Sequence, residues 1–222
     1  MEKSLILATG FVLGLRHAFD PDHITAVTQF ISLQPNPKKG IGFGLRWGLG
    51  HAITVLAIGS LIILSNVKIS LRFEKWAEIL VGFTLIGLAI WRLKLLYQAQ
   101  RHTHPHQHDG EMHIHPHSHL ESSEHVHSHA PTLVGMLHGA AGTLAVFVLI
   151  PLSFLSSKFL AYAYILTFGL GCMLSMGLYG FVMGHFYRKA QAVSLQKFFT
   201  YIVIITACSG LALGVFWIGR NL

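Results

Sequence analysis

Long apolar runs separated by short polar connections organise the whole chain. They predict six membrane spans, at about 4–33, 41–65, 76–98, 132–155, 159–186 and 198–219, because ~20 apolar residues cross the hydrocarbon core as a helix. The first run is long for one straight helix, and Pro21 interrupts it. The apolar piece before Arg16 is too short to be a span of its own, so the run predicts a broken or strongly kinked helix. The runs are continuous rather than alternating, which excludes a β-barrel. The predicted fold class is an all-α integral membrane protein. The opening MEKSLILATGFVLGL has a charged start and an apolar stretch, but no small-x-small cleavage pattern follows. It is read as a retained span.

Composition agrees: of 222 residues, 52% are hydrophobic and 11% charged, with mean hydropathy +0.54. Soluble domains carry about 25% charged residues. The only cysteines, Cys172 and Cys208, lie in apolar runs and suggest no disulfide framework. The net charge of +7 is not a nucleic-acid signature, because Lys and Arg are spread over short connections. Their use is orientation. Connections after spans one, three and five carry Lys38, Lys39, Arg46, Arg92, Lys94, Arg101, Arg188, Lys189 and Lys197. The opposite side carries Lys3, Lys68, Arg72, Lys75, Lys158 and Arg220. The positive-inside rule then places both termini outside and the 99–131 connection in the cytoplasm.

The chain also repeats itself. GLRHA at 14–18 precedes GMLHGA at 135–140 by 121 residues, so that His17 falls on His138. WGLGH at 47–51 precedes FGLGC at 168–172 by the same 121. GLAIW at 87–91 resembles GLALGVFW at 210–217 with a small drift. Three spans per half is an odd number, so the halves are predicted to be inverted repeats, residues 1–98 and 132–222, with the first helix of each broken or kinked. Transporters with that architecture place the substrate between the halves near the midplane.

The chemistry gathers in HAFDPDH. An Asp near the bilayer centre costs about 2.5–3.5 kcal/mol on insertion scales, and this stretch holds two. Asp is a good helix N-cap and Pro suits the first helical position. A helix is therefore expected to restart at Pro21 with Asp20 capping it, which gathers His17, Asp20, Asp22 and His23 into one small volume. Imidazole with carboxylate suits Ni²⁺, Co²⁺, Zn²⁺, Mn²⁺ or Fe²⁺. It is too rich in nitrogen for Mg²⁺ or Ca²⁺, and it lacks the sulfur that selects Cu(I). The competing reading is an ion pair of Arg16 with Asp20 or Asp22 that supports a kink.

His51 in GLGHAITV follows Gly48 and Gly50, which allow helices to approach closely. His138 in HGAAG matches His17 by repeat. Both join the candidate metal set. His185, at the end of the fifth span, reads as interfacial, and Cys172, Met173, Met176 and Met183 read as packing. Residues 101–129 hold eleven histidines, mostly spaced H-x-H and interleaved with Pro, Gly and Ser. The 99–131 connection is therefore expected to be disordered and suited to collecting or buffering metal.

At these residues the sequence resembles the nickel/cobalt transporter family. The family's His, followed after four residues by Asp-His within a span, is met by His17 and Asp22-His23 in RHAFDPDHITAV, with Pro21 in place of the usual Ala. LGHAITVL around His51 is similar to the family's second motif. GMLHGAAGTLA resembles the short, six-span, urease-accessory (UreH-type) branch, and the histidine-rich loop resembles the nickel/cobalt efflux branch. The long members carry a later Leu-Gly-x-Asp-Thr-x-Thr-Glu motif. The comparable place here reads FGLGCMLSMGL, without acidic residues. The resemblance implies a multi-pass protein of a bacterial or archaeal cytoplasmic membrane that moves Ni²⁺ or Co²⁺. It gives the substrate class and not the direction, for which import is favoured over efflux.

The sequence reading is a secondary permease. No G-x-x-x-x-G-K-[ST] is present to bind a nucleotide, and no H-E-x-x-H to make an intramembrane metalloenzyme. A metal sensor or metallochaperone partner that moves no ions is the alternative. No resident cofactor is expected: the metal is cargo, with Zn²⁺ open beside Ni²⁺ and Co²⁺. The expected partners are the ion and the bilayer, with a second copy of the chain or a cytoplasmic metallochaperone left open, and no nucleic acid. Imidazole binds metal only when neutral, and an unperturbed histidine titrates near ~6.5. Metal flux is therefore predicted to fall between neutral and mildly acidic pH in vesicles held at zero pH gradient. Unchanged flux over that range would sink the imidazole-site reading.

Overall fold

The computed structural model describes residues 3–65, 70–100, 106–108, 111–113, 129–141, 157–191 and 195–222. The helices are α1 (Lys3–His17), α2 (Pro21–Leu33), α3 (Pro37–Ser65), α4 (Leu71–Gln100), α5 (Ala130–Gly139), α6 (Lys158–Ala190) and α7 (Gln196–Asn221). Two three-residue strands, β1 (His106–His108) and β2 (Glu111–His113), pair antiparallel with His106 opposite His113. The disorder expected for 99–131 falls mainly on 101–105, 109–110 and 114–128, which lie outside the described residues.

Among the described residues, four helices are long and apolar enough to cross a membrane: Pro37–Ser65, Leu71–Gln98, Lys158–Ala190 and Lys197–Asn221. α1 and α2, of 15 and 13 residues, each fall short of a span. They nevertheless follow one another along α6. Gly10 and Gly14 lie against Tyr164 and Phe168, and further on Thr28 meets Tyr179. The predicted break in the first run is therefore present, at residues 18–20. α5 ends at Gly139, and the rest of the predicted fourth span lies outside the described residues.

The break keeps its backbone satisfied. Ala18 N donates to Gly14 O at 3.2 Å, Phe19 N to Arg16 O and Asp20 N to His17 O at 3.0 Å, and Ile24 N to Asp20 O at 3.1 Å. Tight turns replace helical bonds where lipid offers no substitute. Asp20 sits at the N-cap of α2 and Pro21 at its first position, but the Asp20 side chain makes no capping bond. That expectation is corrected, because the carboxylate turns to His17 instead, 2.9 Å away. Arg16 is exposed, and among the described residues the ion pairs at the break join histidines and aspartates.

Small residues set the packing. α3 lies along α6, α4 along α7, α1 on α6 and α5 on α3. A Cβ on Gly14 would fall 2.0 Å from the Phe168 carbonyl oxygen, and one on Gly135 would fall 2.0 Å from that of Trp47. Gly50 meets Thr132 O and Met136 N, as Gly171 meets Phe11 O and Leu15 N. In lipid, such close backbone contact replaces the hydrophobic drive that holds helices together in water. Arg92, counted above with a connection, lies inside α4 and is buried. Without it the charge bias narrows but keeps its sign.

Gly44 and Gly42 separate packing from composition. A Cβ on Gly44 would lie 2.0 Å from Met176 O, whereas one on Gly42 meets nothing within 4 Å. Gly44→Leu is predicted to destabilise the purified protein by at least about 1–3 kcal/mol, read as a lowered Tm in detergent. Gly42→Leu should leave Tm unchanged.

Candidate metal centre

His17 ends α1, His23 lies in the first turn of α2, and His51 lies midway along α3. Their side chains meet where the first span is interrupted. His17 Nε2 is 3.1 Å from His51 Nε2 and 3.1 Å from His23 Nε2. One ligand atom from each of the three lies within 4.8 Å of the others, and all three residues are buried. Nitrogens bound to one ion at about 2.0–2.1 Å, at square or tetrahedral angles, stand about 2.8–3.4 Å apart. The observed spacing suits a shared cation.

The two carboxylates stand behind the imidazoles. His17 Nδ1 donates to Asp20 Oδ2 at 2.9 Å, which leaves the lone pair on Nε2 facing the centre. His23 Nδ1 is 3.1 Å from Asp22 Oδ2, without the alignment of a hydrogen bond. Asp20 therefore holds the His17 ring, and Asp22 lies beside the His23 ring. With His23, however, they form a second group within 4.8 Å. That group borders a cavity of about 210 Å³ whose lining also includes Glu78, Val81 and Trp217.

His138, at the end of α5, joins the assembly from the other half of the chain. Its Nδ1 donates to Val134 O at 2.8 Å, so Nε2 carries a lone pair. That Nε2 is buried and has no hydrogen-bond partner. The ring centroid lies 5.5 Å from that of His23 and 5.5 Å from that of Trp47. A buried acceptor left unpaired calls for a ligand or a water.

The six residues singled out in the sequence, His17, Asp20, Asp22, His23, His51 and His138, thus lie in one region. His185 is exposed on α6 and stands apart. Cys172 is buried in the apolar core with Met176. Three neighbours were missed. Trp47 is fully buried, with its ring 4.6 Å from that of His23 and an unpaired Nε1. Its signal was its place in the repeat, opposite Phe168, whose ring lies 5.3 Å from that of His17. Glu78 is buried in α4 and accepts from Asn221 Nδ2 at 2.7 Å. A single acid inside an apolar run was its signal. Arg92 donates through Nε to Ser32 Oγ at 2.8 Å and through Nη2 to Ser32 O at 3.1 Å, near the end of α2.

Apolar helices long enough to span, around a buried group of imidazoles and carboxylates, define an integral membrane protein that handles metal ions. The chain belongs to the NicO family, described as High-affinity nickel-transport protein, which it matches over residues 4–218. It is 32% identical over 210 residues to the urease accessory protein UreH of Bacillus sp. (strain TB-90), covering 89% of this chain and 84% of that one. It is 23% identical over 212 residues to the Chloroplast protein FOR GROWTH AND FERTILITY 1 of Arabidopsis thaliana, covering 93% of this chain and 57% of that protein. No solved structure matches the chain. The family is one of transporters and not of enzymes. The chain is accordingly a multi-pass membrane protein for transport of nickel-class divalent ions.

Asp20 offers a direct test of how the rings are held. Asp20→Ala should lower Co²⁺ affinity about 10–100-fold by freeing the His17 ring, with Asp20→Asn losing less. Equilibrium dialysis of the purified protein measures both. Equal affinity in Asp20→Ala would mean that the carboxylate does not set the ring.

Proposed function

We propose that the chain is a secondary permease in which a divalent Ni²⁺ or Co²⁺ ion passes through the His17, His23 and His51 nitrogens, with the metal as cargo and not as cofactor. The observation that carries this is the approach of three buried Nε2 atoms from three different helices, two of the separations being 3.1 Å. Asp20 and Asp22 orient two of the rings. His138, with its unpaired Nε2, completes the shell as the ion is enclosed. Zn²⁺ fits the same donors. Discrimination rests on geometry, since affinity alone follows the Irving–Williams order.

The permease is built from two inverted three-helix repeats, residues 1–98 and 132–222, which give six spans with the first of each half broken. The packing supports this. Shifting by 121 residues turns the Gly14–Phe168 contact into Gly135–Trp47 with its partners exchanged. The same shift turns Gly50 against Thr132 and Met136 into Gly171 against Phe11 and Leu15. His17 beside Phe168 becomes His138 beside Trp47. A pseudo-two-fold axis produces such exchanges, and it places the histidines at the repeat interface.

The 99–131 segment is a cytoplasmic collector of metal in this reading, suited to exchange with a metallochaperone or a second copy of the chain. Uptake is the direction we assign. The cavity beside the cluster meets α4 at Glu78 and Val81, in the half of the helix nearer the end that the charge bias puts outside. Flux of Ni²⁺ and Co²⁺ into sealed liposomes tests the function. His17→Ala, His23→Ala and His51→Ala should each cut flux at least about tenfold, since each removes one ligand donor. His185→Ala should match the wild type. Tight metal binding with no flux would instead favour a sensor.

A further inference from the structure

We propose that the cavity beside the break, bordered by Asp20, Asp22 and Glu78, is an antechamber for a partly hydrated divalent cation, with Glu78 as its outer ligand, from which the ion reaches the imidazoles. This rests on the transport reading above. Among the described residues the cavity is bordered by Asp20, Asp22, His23, Glu78, Val81 and Trp217. Its volume of about 210 Å³ has room for several waters at ~30 Å³ each. Three acidic residues, Asp20 and Asp22 at the start of α2 and Glu78 in α4, border one cavity beside apolar helices, where a lone acid is expensive.

A second feature points to a ligand there. His23 is only 2% exposed and borders the same cavity, and its buried Nδ1 makes no hydrogen bond, with Asp22 Oδ2 3.1 Å away. Its Nε2 faces His17. Asn221 holds one oxygen of Glu78 in place at 2.7 Å.

The charges on α4 give the route a polarity. Glu78 and Arg92 stand fourteen positions apart on its buried side, about 21 Å at 1.5 Å per residue. Arg92 is bonded to Ser32, at the far end of α2 from His23. A dication approaching from that end meets a fixed positive charge, while one approaching past Glu78 meets carboxylates. Oxygen ligands tolerate retained water and accept any hard divalent ion. The nitrogen cluster then favours borderline ions. Dehydration is divided between two stations.

The test is the rate at which the full-length protein in nanodiscs fills with Co²⁺, followed by stopped-flow visible absorption of imidazole-bound cobalt. Glu78→Gln keeps the acceptor for Asn221 and removes the charge. It should fill about three- to tenfold more slowly, with a weaker salt dependence and an unchanged final spectrum. Glu78→Asp should recover most of the rate, and Asn221→Ala, which keeps the carboxylate, should fill at no less than half the wild-type rate. Wild-type filling by Glu78→Gln overturns the proposal. So does equal slowing by Asn221→Ala, which would make Glu78 a helix fastener, and so does a changed final spectrum, which would place Glu78 in the cluster. A wild-type spectrum that His51→Ala leaves unaltered instead defeats the imidazole-site reading, and the antechamber falls with it.

Discussion

The break between α1 and α2 leaves peptide groups and ring nitrogens buried among apolar helices that can pair with neither, and the interior is arranged around meeting both. The backbone is satisfied locally, through the turn bonds at Ala18, Phe19 and Asp20. The side chains are satisfied by one another: Asp20 takes the His17 ring, and His17 lies between His51 and His23. Remove one member and another polar atom is stranded in a dry site, where the penalty is about 1–3 kcal/mol or more. The cluster is thus both the reason the break is tolerated and the reason it is useful.

Close helix approach makes the cluster possible. Gly14 and Gly171 bring α1 onto α6, Gly50 and Gly135 bring α5 onto α3, and Gly40 and Gly44 bring α3 onto α6, so α1 and α3 share one partner and α5 joins them through α3. Several sites of close approach, at Gly14, Gly50 and Gly135, lie within three residues of His17, His51 and His138. WGLGH is a contact surface that also carries a candidate ligand, His51.

Much of this was legible. The apolar runs placed the long helices to within a few residues, and the Asp-Pro step amid charge marked the break. His51 and His138 followed from motif and repeat. What failed was what depends on a neighbour's choice. Asp20-Pro21 reads as a cap, and only the structure reveals that His17, three residues back, takes the carboxylate first. Arg92 reads as a connection charge because it lies near the end of an apolar run, and only the docking of α2 reveals Ser32 beside it. Glu78 and Trp47 carry no motif of their own. Their roles come from what α2, α5 and α7 bring against them.

A carrier has to release its ion as well as bind it, and the distribution of the histidines over α1, α2, α3 and α5 bears on that. Metal–ligand distances are tolerant only to about ±0.2 Å. Donors fixed on a single helix would move together and keep hold of the ion through any rigid-body motion. In the proposed site the donors lie on four elements, with His138 contributed by the second half of the chain, and a slide of one half against the other would separate them. The contacts at Gly14, Gly50, Gly135 and Gly171 are backbone against backbone. A site assembled across such a seam is strong in one arrangement and weak in its neighbours, which is the property that alternating exposure of a bound ion requires.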